Sequence, residues 1–329
     1  LTYLIEYPQQ EFVLRRPPFG HKAKSAHDMG REYRILNQLN AGFPYCPKAY
    51  VHCTDESVIG AEFYVMQRVK GIILRSDMPA ELNFSAEQTN ALCKSFIDKL
   101  VDLHNVDYQA CGLADLGKPE GYVKRQIEGW SDRYEKARTW NVPSYRGVRA
   151  WLKQHTPADS ATCVVHNDWR FDNVVLDPAD PTRVIGVLDW EMATLGDPLM
   201  ELGNVLAYWI EAGDRGVLRK TRRQPTHLPG MLTRAEVVDY YQRRTGVEIG
   251  HWAFYEVFGL FRVAAIIQQI YYRYHHKQTD NPAFRSFWIL NWAIWRRCRQ
   301  LIAEDRRQGG ARAAGNDRNA ADAGKAGRA

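Results

Sequence analysis

The stretch VVHNDWRFDNVVLD, Val164–Asp177, sets His166, Asp168, Asp172 and Asn173 between short β-branched runs. A strand that merely packed into a core would not carry two carboxylates and an amide there. Burying a polar group without a partner costs roughly 2–7 kcal/mol by transfer measures. The cluster therefore meets solvent, a metal or a ligand.

Downstream, the turn-rich DPADPTR leads into the apolar run VIGVL and then Asp189-x-Glu191. Two adjacent predicted strands thus end in polar clusters, His166-x-Asp168-x-x-x-x-Asn173 and Asp189-x-Glu191. Asp168, Asn173 and Asp189 are hard oxygen donors that suit Mg2+, an ion that takes few protein ligands and fills its octahedron with water and phosphate oxygens. Phosphoryl transfer asks for this kind of equipment: a base beside the acceptor hydroxyl, a held metal, and a cation for the developing charge.

Around this hairpin the chain changes character. Residues 1–70 alternate strand patterns (LTYLIEY, EFVLRR, AYVHC, EFYVMQRV) with one helix from about Ala26 to Leu39, capped by Ser25 and ended near Gly42–Pro44. After a connection at Gly71 the chain is mostly helical. SAEQTNALCKSFIDKLVDLHNV opens with the capping box Ser85-x-x-Gln88 and repeats Leu92, Phe96, Leu100 and Leu103 on one face. Further helices are predicted at 121–139, 144–154, 198–212, 233–244 (capping box Thr233-x-x-Glu236), 250–278 and 282–304. The pattern is α+β: a two-lobed chain with a small β-rich N-lobe (1–70) and a larger mainly helical C-lobe (71–305).

The net charge of +6 is concentrated in the tail, where six basic residues face two acidic ones from Arg306 onward. That tail, 306–329, is Gly/Ala-rich without apolar periodicity and is predicted to be disordered. Its charge reads as solubilising, so no nucleic-acid partner is expected. No membrane span is expected either, because the most apolar region, Trp252–Tyr274, is interrupted by Glu256, Arg262, Gln268 and Gln269. The six cysteines lack CxxC spacing, which points away from zinc and disulfides and toward the cytoplasm. LTYLIEY reads as a strand already under way, so residues are expected upstream of Leu1.

HNDWRFDNVVLD followed by VIGVLDWEMATLGDP resembles the Brenner-type signature of the protein-kinase-like superfamily, HxDxxxxN and then a metal-binding Asp. The DWE-to-GDP ending is similar to its aminoglycoside-phosphotransferase branch, and within it to the phosphotransferases associated with acyl-CoA dehydrogenases. FVLRRPPFGHKAKSAHDMGREYRIL and GAEFYVMQRVKG resemble the small lobe of that group; LHNVD and LPGMLTRAEVVDYY resemble its larger lobe. The resemblance spans about Leu1 to Ala303 and implies the protein-kinase-like two-lobed fold. It implies Asp168 as the base that orients or deprotonates the acceptor hydroxyl, Asn173 and Asp189 as magnesium ligands, and His166 as the brace of the catalytic loop. Arg170 either stabilises phosphate charge or pairs with Asp172. Glu191 either tunes the metal shell or makes a structural hydrogen bond. Glu32 matches the acid that anchors a phosphate-contacting cation, normally Lys, here Arg15; the exchange keeps the charge but changes reach and hydration. Gln67 to Val69 matches the hinge that meets adenine. Asn167 replaces the family's usual Gly, and Glu201 a common Asp. The family's Gly/Ser-rich turn over the ATP phosphates would lie before Leu1.

The leading expectation is an ATP- and Mg2+-dependent kinase acting on a small-molecule hydroxyl. A protein kinase is disfavoured: seven residues separate Asp189 from Asp197, and no APE-like motif follows. Polycationic aminoglycosides call for an acidic pocket, which this chain does not offer. Arg215, Arg219, Lys220, Arg222 and Arg223, with an aromatic face of Trp252, Tyr255, Phe258, Phe261, Tyr271 and Tyr272, suit an anionic acceptor with a greasy part. The resemblance implies a hydroxyacyl-CoA and a functional link to an acyl-CoA dehydrogenase. Alternatives are a nucleotide-binding pseudokinase, an aminoglycoside- or choline-type kinase, and a metal phosphoesterase using His166, Asp168 and Asp189.

Overall fold

The computed structural model describes residues 1–18 and 28–326, with side chains described through residue 308. The strands are β1 (Thr2–Glu6), β2 (Glu11–Arg15), β3 (Ala49–Cys53), β4 (Phe63–Gln67), β5 (Cys163–Val165), β6 (Val174–Leu176), β7 (Val184–Val187) and β8 (Thr194–Gly196). The helices are α1 (Met29–Leu39), α2 (Ala86–His104), α3 (Tyr122–Ala137), α4 (Arg146–Gln154), α5 (Pro198–Ala207), α6 (Gly216–Lys220), α7 (Arg234–Thr245), α8 (Trp252–His275) and α9 (Phe287–Ala326). They form two compact units, Leu1–Val123 with Pro157–Ile249, and Lys124–Thr156 with Gly250–Ala329. The strand-rich segment and the strand pairs that carry the signature stretch therefore share the first unit.

In the first unit, a four-stranded antiparallel sheet runs in the order β1-β2-β4-β3. The β2–β4 register sets Arg15 opposite Tyr64, so both side chains share one face. Helix α1 lies against β3 and β4 and buries Met29, Ile35, Leu36 and Leu39, but also Glu32. It begins at Met29, where the Asp28 side chain accepts from the Arg31 amide; the cap expected at Ser25 lies outside the described residues. Both predicted capping boxes are present, Ser85 with Gln88 and Thr233 with Glu236.

Two short antiparallel pairs, β5–β8 and β6–β7, carry the signature stretch. All six residues of β5 and β6 are buried, which explains their β-branched, polar-free composition. Gly186 in β7 has a packing reason: a Cβ there would stand 2.7 Å from Val69 Cγ1, so the hinge segment closes directly onto the hairpin.

In the second unit, α8 packs against α9 and α4. Helix α8 is long and apolar enough to cross a membrane by composition, but most of its apolar stretch is buried within the fold, as in the core helix of a soluble domain. Helix α9 continues to Ala326, where a disordered tail is predicted from composition. Backbone hydrogen bonds need no apolar periodicity, so composition alone does not exclude a helix here.

Candidate active site

The end of β5 delivers His166 into full burial. Its Nε2 lies 2.9 Å from the Leu188 carbonyl, which only accepts, so Nε2 donates. Its Nδ1 accepts the Asp168 amide at 3.2 Å. Both ring nitrogens are thereby engaged, and His166 braces two loops.

Asp168 follows, with its side chain about a quarter exposed. Asn173, at the end of a 3-10 turn (Phe171–Asn173), donates from Nδ2 to the Asp168 carbonyl (2.8 Å) and to Asp168 Oδ2 (2.9 Å). Both Asn173 bonds run from its amide nitrogen, so Oδ2 of Asp168 is fixed by Asn173 while Oδ1 faces Arg170. Arg170 forks between its neighbours, with Nε 3.3 Å from Asp168 Oδ1 and Nη2 3.0 Å from Asp172 Oδ2. Its guanidinium also stands 5.3 Å over the Tyr208 ring. The pairing alternative for Arg170 is thus the one the ligand-free geometry displays. Burial raises the Asp172 pKa against the pull of Arg170.

Asp189 begins the second loop in the left-handed region, φ 68°. Its Oδ1 meets Arg15 Nη1 at 3.1 Å, while the same nitrogen meets Glu32 Oε1 at 2.5 Å. Glu191 Oε2 is 3.8 Å from Arg15 Nη2. One guanidinium from β2 thus faces three carboxylates, from α1 and from the loop after β7. Glu32 is 2% exposed, and burial pushes its pKa up to about 7 against the opposing pull of Arg15 and the Tyr64 hydroxyl. Burial also works against the Arg15 charge, but Glu32 and Asp189 outweigh it and the net shift is upward. Gln67 ends β4, where its Oε1 accepts the Lys48 amide at 3.3 Å; Val69 follows against Gly186.

Among the described residues no group of three or more His, Cys, Asp or Glu is arranged to hold a metal. The donor set of Asp189 and Asn173 nonetheless fits Mg2+, which characteristically takes one or two protein ligands and leaves the rest to water and phosphate.

Three contributions escaped the sequence. Glu201 on α5 is buried, accepting the Asn167 amide through Oε1 (2.6 Å) and facing His104 Nε2 through Oε2 (2.8 Å). Gln224 is buried and accepts the Phe171 amide at 2.8 Å, joining the segment after the arginine-rich loop to the catalytic loop. Arg31 reaches from α1 to the carbonyls of Glu191 (3.1 Å) and Ala193 (2.5 Å). The sequence marked Glu201 only as a departure from a common Asp, and Arg31 only as the neighbour of Glu32; nothing in it marked Gln224.

The aromatic face expected beside the acceptor is corrected for four of its six residues: Tyr255, Phe258, Phe261 and Tyr271 are buried on α8, inside the second unit, while Trp252 and Tyr272 are half-buried. A helix that is apolar around most of its circumference is packing material rather than a cleft wall.

The fold and this constellation define a kinase-like small-molecule phosphotransferase. Residues 1–244 match the phosphotransferase enzyme family APH, and the chain belongs to that family. It is 36% identical over 275 residues to mouse (Mus musculus) acyl-CoA dehydrogenase family member 10, covering 83% of this chain and 25% of that protein. With family member 11 of Rattus norvegicus it shares 32% over 297 residues, covering 88% and 37% respectively. The chain thus spans between a quarter and somewhat over a third of these relatives. A crystal structure from Ralstonia eutropha, described as an aminoglycoside phosphotransferase, is similar with TM-score 0.75 and 33% identity over 90% of this chain and 89% of that one. The GDP and kanamycin complex of APH(2")-IIIa shares the fold, TM-score 0.57 at 14% identity over 91% of this chain and 90% of that one.

Proposed function

We propose that this chain transfers the γ-phosphoryl group of ATP, with Mg2+, to a hydroxyl of an anionic small molecule, a hydroxyacyl-CoA being the leading candidate. The observation that carries the reading is the Asp168–Asn173 hydrogen-bonded pair in the same compact unit as the Arg15–Glu32–Asp189 cluster. Asp168, oriented by Asn173, accepts the acceptor's hydroxyl proton as the oxygen attacks the γ-phosphorus and the bond to the ADP oxygen breaks. Arg15, half-buried and anchored by Glu32, offers a planar cation suited to two phosphate oxygens at once. A Mg2+ ion held by Asp189 and Asn173, with Glu191 nearby, would supply neutralisation of the phosphate charge. His166 holds the two loops in register, and the backbone of Gln67 to Val69 would meet the base.

The anionic acceptor is supported by local electrostatics. The His227 pKa is lowered by burial first and then by Arg222 and Arg219, with Asp77 opposing, so two arginines act on this segment beyond α6. Arg222 is ion-paired with Asp77, and Arg219 donates to the Glu211 and Ala212 carbonyls. The names of the relatives direct attention to acyl-CoA chemistry and the GDP complexes to a choice of nucleotide.

The test is ADP or GDP release from the Mg2+ nucleotide over a panel of 3- and 4-hydroxyacyl-CoAs, free hydroxy acids, choline, ethanolamine and aminoglycosides. Turnover with hydroxyacyl-CoA alone is the expected result. Turnover only with cationic acceptors would refute the acceptor class. Nucleotide binding without turnover on any acceptor would favour a pseudokinase.

A further inference from the structure

Asp189 holds a left-handed backbone conformation, φ 68° and ψ 62°, that non-glycine residues adopt only at an energetic cost. Such a conformation persists only where the surroundings over-determine it. Here the surroundings are four main-chain oxygens, each gripped by a side chain. His166 Nε2 takes the Leu188 carbonyl on one side of Asp189. On the other side, Arg31 takes Glu191 O with Nη1 and Ala193 O with Nη2, and Asn167 Nδ2 takes Met192 O between them at 3.2 Å. Three consecutive carbonyls of the turn that Asp189 opens are therefore held by two side chains.

Asn167 is built for this task. It is 9% exposed, and its own φ is 65°, a conformation asparagine tolerates better than most residues. Its backbone amide is fixed by Glu201. The Met192 carbonyl can only accept, so it takes the amide nitrogen, and Asn167 Oδ1 faces the Tyr122 hydroxyl at 3.3 Å. A glycine here would keep the backbone and lose the bridge. Arg31 is equally specific, because two carbonyls need a fork and a lysine presents a single point.

We infer that Asn167 and Arg31 are positioning residues that hold the metal-ligand loop in its binding conformation, so that Asp189 meets Mg2+ preorganised. The inference rests on the phosphotransferase reading. Asn167 couples the base loop to the metal loop, and Arg31 couples helix α1 to the same turn.

The experiment is a Mg2+ titration of the thermal shift produced by saturating ADP, on wild type, Asn167→Gly and Arg31→Lys, with EDTA-treated protein plus ADP as reference. Loss of one neutral hydrogen bond corresponds to roughly a three- to tenfold change in an equilibrium constant. Each variant should raise the Mg2+ concentration for half-maximal shift by about that factor, while its shift with ADP in EDTA stays at the wild-type value. Wild-type Mg2+ response in both variants would overturn the inference. So would an equal loss of ADP binding with and without metal, or an Asn167→Gly protein that does not fold beside an Arg31→Lys protein of normal Mg2+ response. No Mg2+-dependent shift in wild type would instead refute the phosphotransferase reading itself.

Discussion

Replacing Arg15 by Met removes the guanidinium that Glu32 meets at 2.5 Å and leaves the shape of β2 largely intact. Stripping the partner from a buried charge costs roughly 3–5 kcal/mol while the charge persists. Glu32 can escape that cost by taking up a proton, so the effect depends on pH. In the wild type its folded-state pKa, about 7, lies above the ordinary glutamate value of 4.5. The folded state then binds the extra proton between those values, so this contribution to stability is fully present below pH 4.5, declines as pH rises to about 7, and is flat above. Without Arg15, the folded-state pKa climbs further and the decline continues past pH 7. One proton held over one pH unit is worth about 1.4 kcal/mol. The destabilisation caused by Arg15→Met should therefore grow by up to about 1.4 kcal/mol between pH 7 and pH 8. Urea unfolding at pH 6, 7 and 8 of wild type, Arg15→Met and Arg15→Met/Glu32→Gln measures this. A cost that is the same at all three pH values, or that keeps its slope once Glu32 is Gln, would falsify the reasoning.

Asp168→Asn should lower acceptor-dependent ADP release by roughly 10²–10⁴-fold, the usual contribution of a positioned base, while shifting the thermal midpoint by only a few degrees; turnover within tenfold of wild type would remove Asp168 from that role. Chelation of divalent metal should abolish most of the thermal stabilisation given by ADP, which at a hundred times the dissociation constant is about 2.7 kcal/mol; undiminished stabilisation in EDTA would argue against Asp189 and Asn173 as metal ligands. Gly71→Ala should destabilise by about 1–3 kcal/mol, because its Cβ would stand 2.3 Å from the Leu176 carbonyl oxygen, backbone that cannot swing aside; a midpoint unchanged in urea would show that the connection at Gly71 yields. Charge reversal at Arg219 and Arg222 should raise KM for an anionic acceptor and leave KM for nucleotide unchanged, as steady-state kinetics with each substrate varied will show.

Short-range features were legible from residue order. The boxes at Ser85–Gln88 and Thr233–Glu236 close within one helical turn, and the polar-free runs around Asp168 and Asp189 mark buried strands, although the strand before Asp168 pairs with β8 and not within the β6–β7 hairpin. The Asp168–Asn173 bond spans five residues, and a 3-10 turn suffices to make it. Family membership followed from those same local spacings.

Packing decided the rest. Arg15 and Asp189 meet across 174 positions, and Arg31 reaches the Ala193 carbonyl across 162, distances over which no periodicity carries information. Strand β8 exists because Thr194–Gly196 finds β5, not because three residues have a preference of their own. Asn167 could have turned its amide to solvent; the carbonyl of Met192 and the hydroxyl of Tyr122 turned it inward. The aromatics of α8 read equally well as a cleft wall or as a core, since a helix apolar on most sides has no face that sequence alone can assign. Residue order therefore determined which chemical groups this protein has available. Only the tertiary structure decided which of them meet, because a hydrogen bond or ion pair is fixed by positions in space that distant segments must jointly supply.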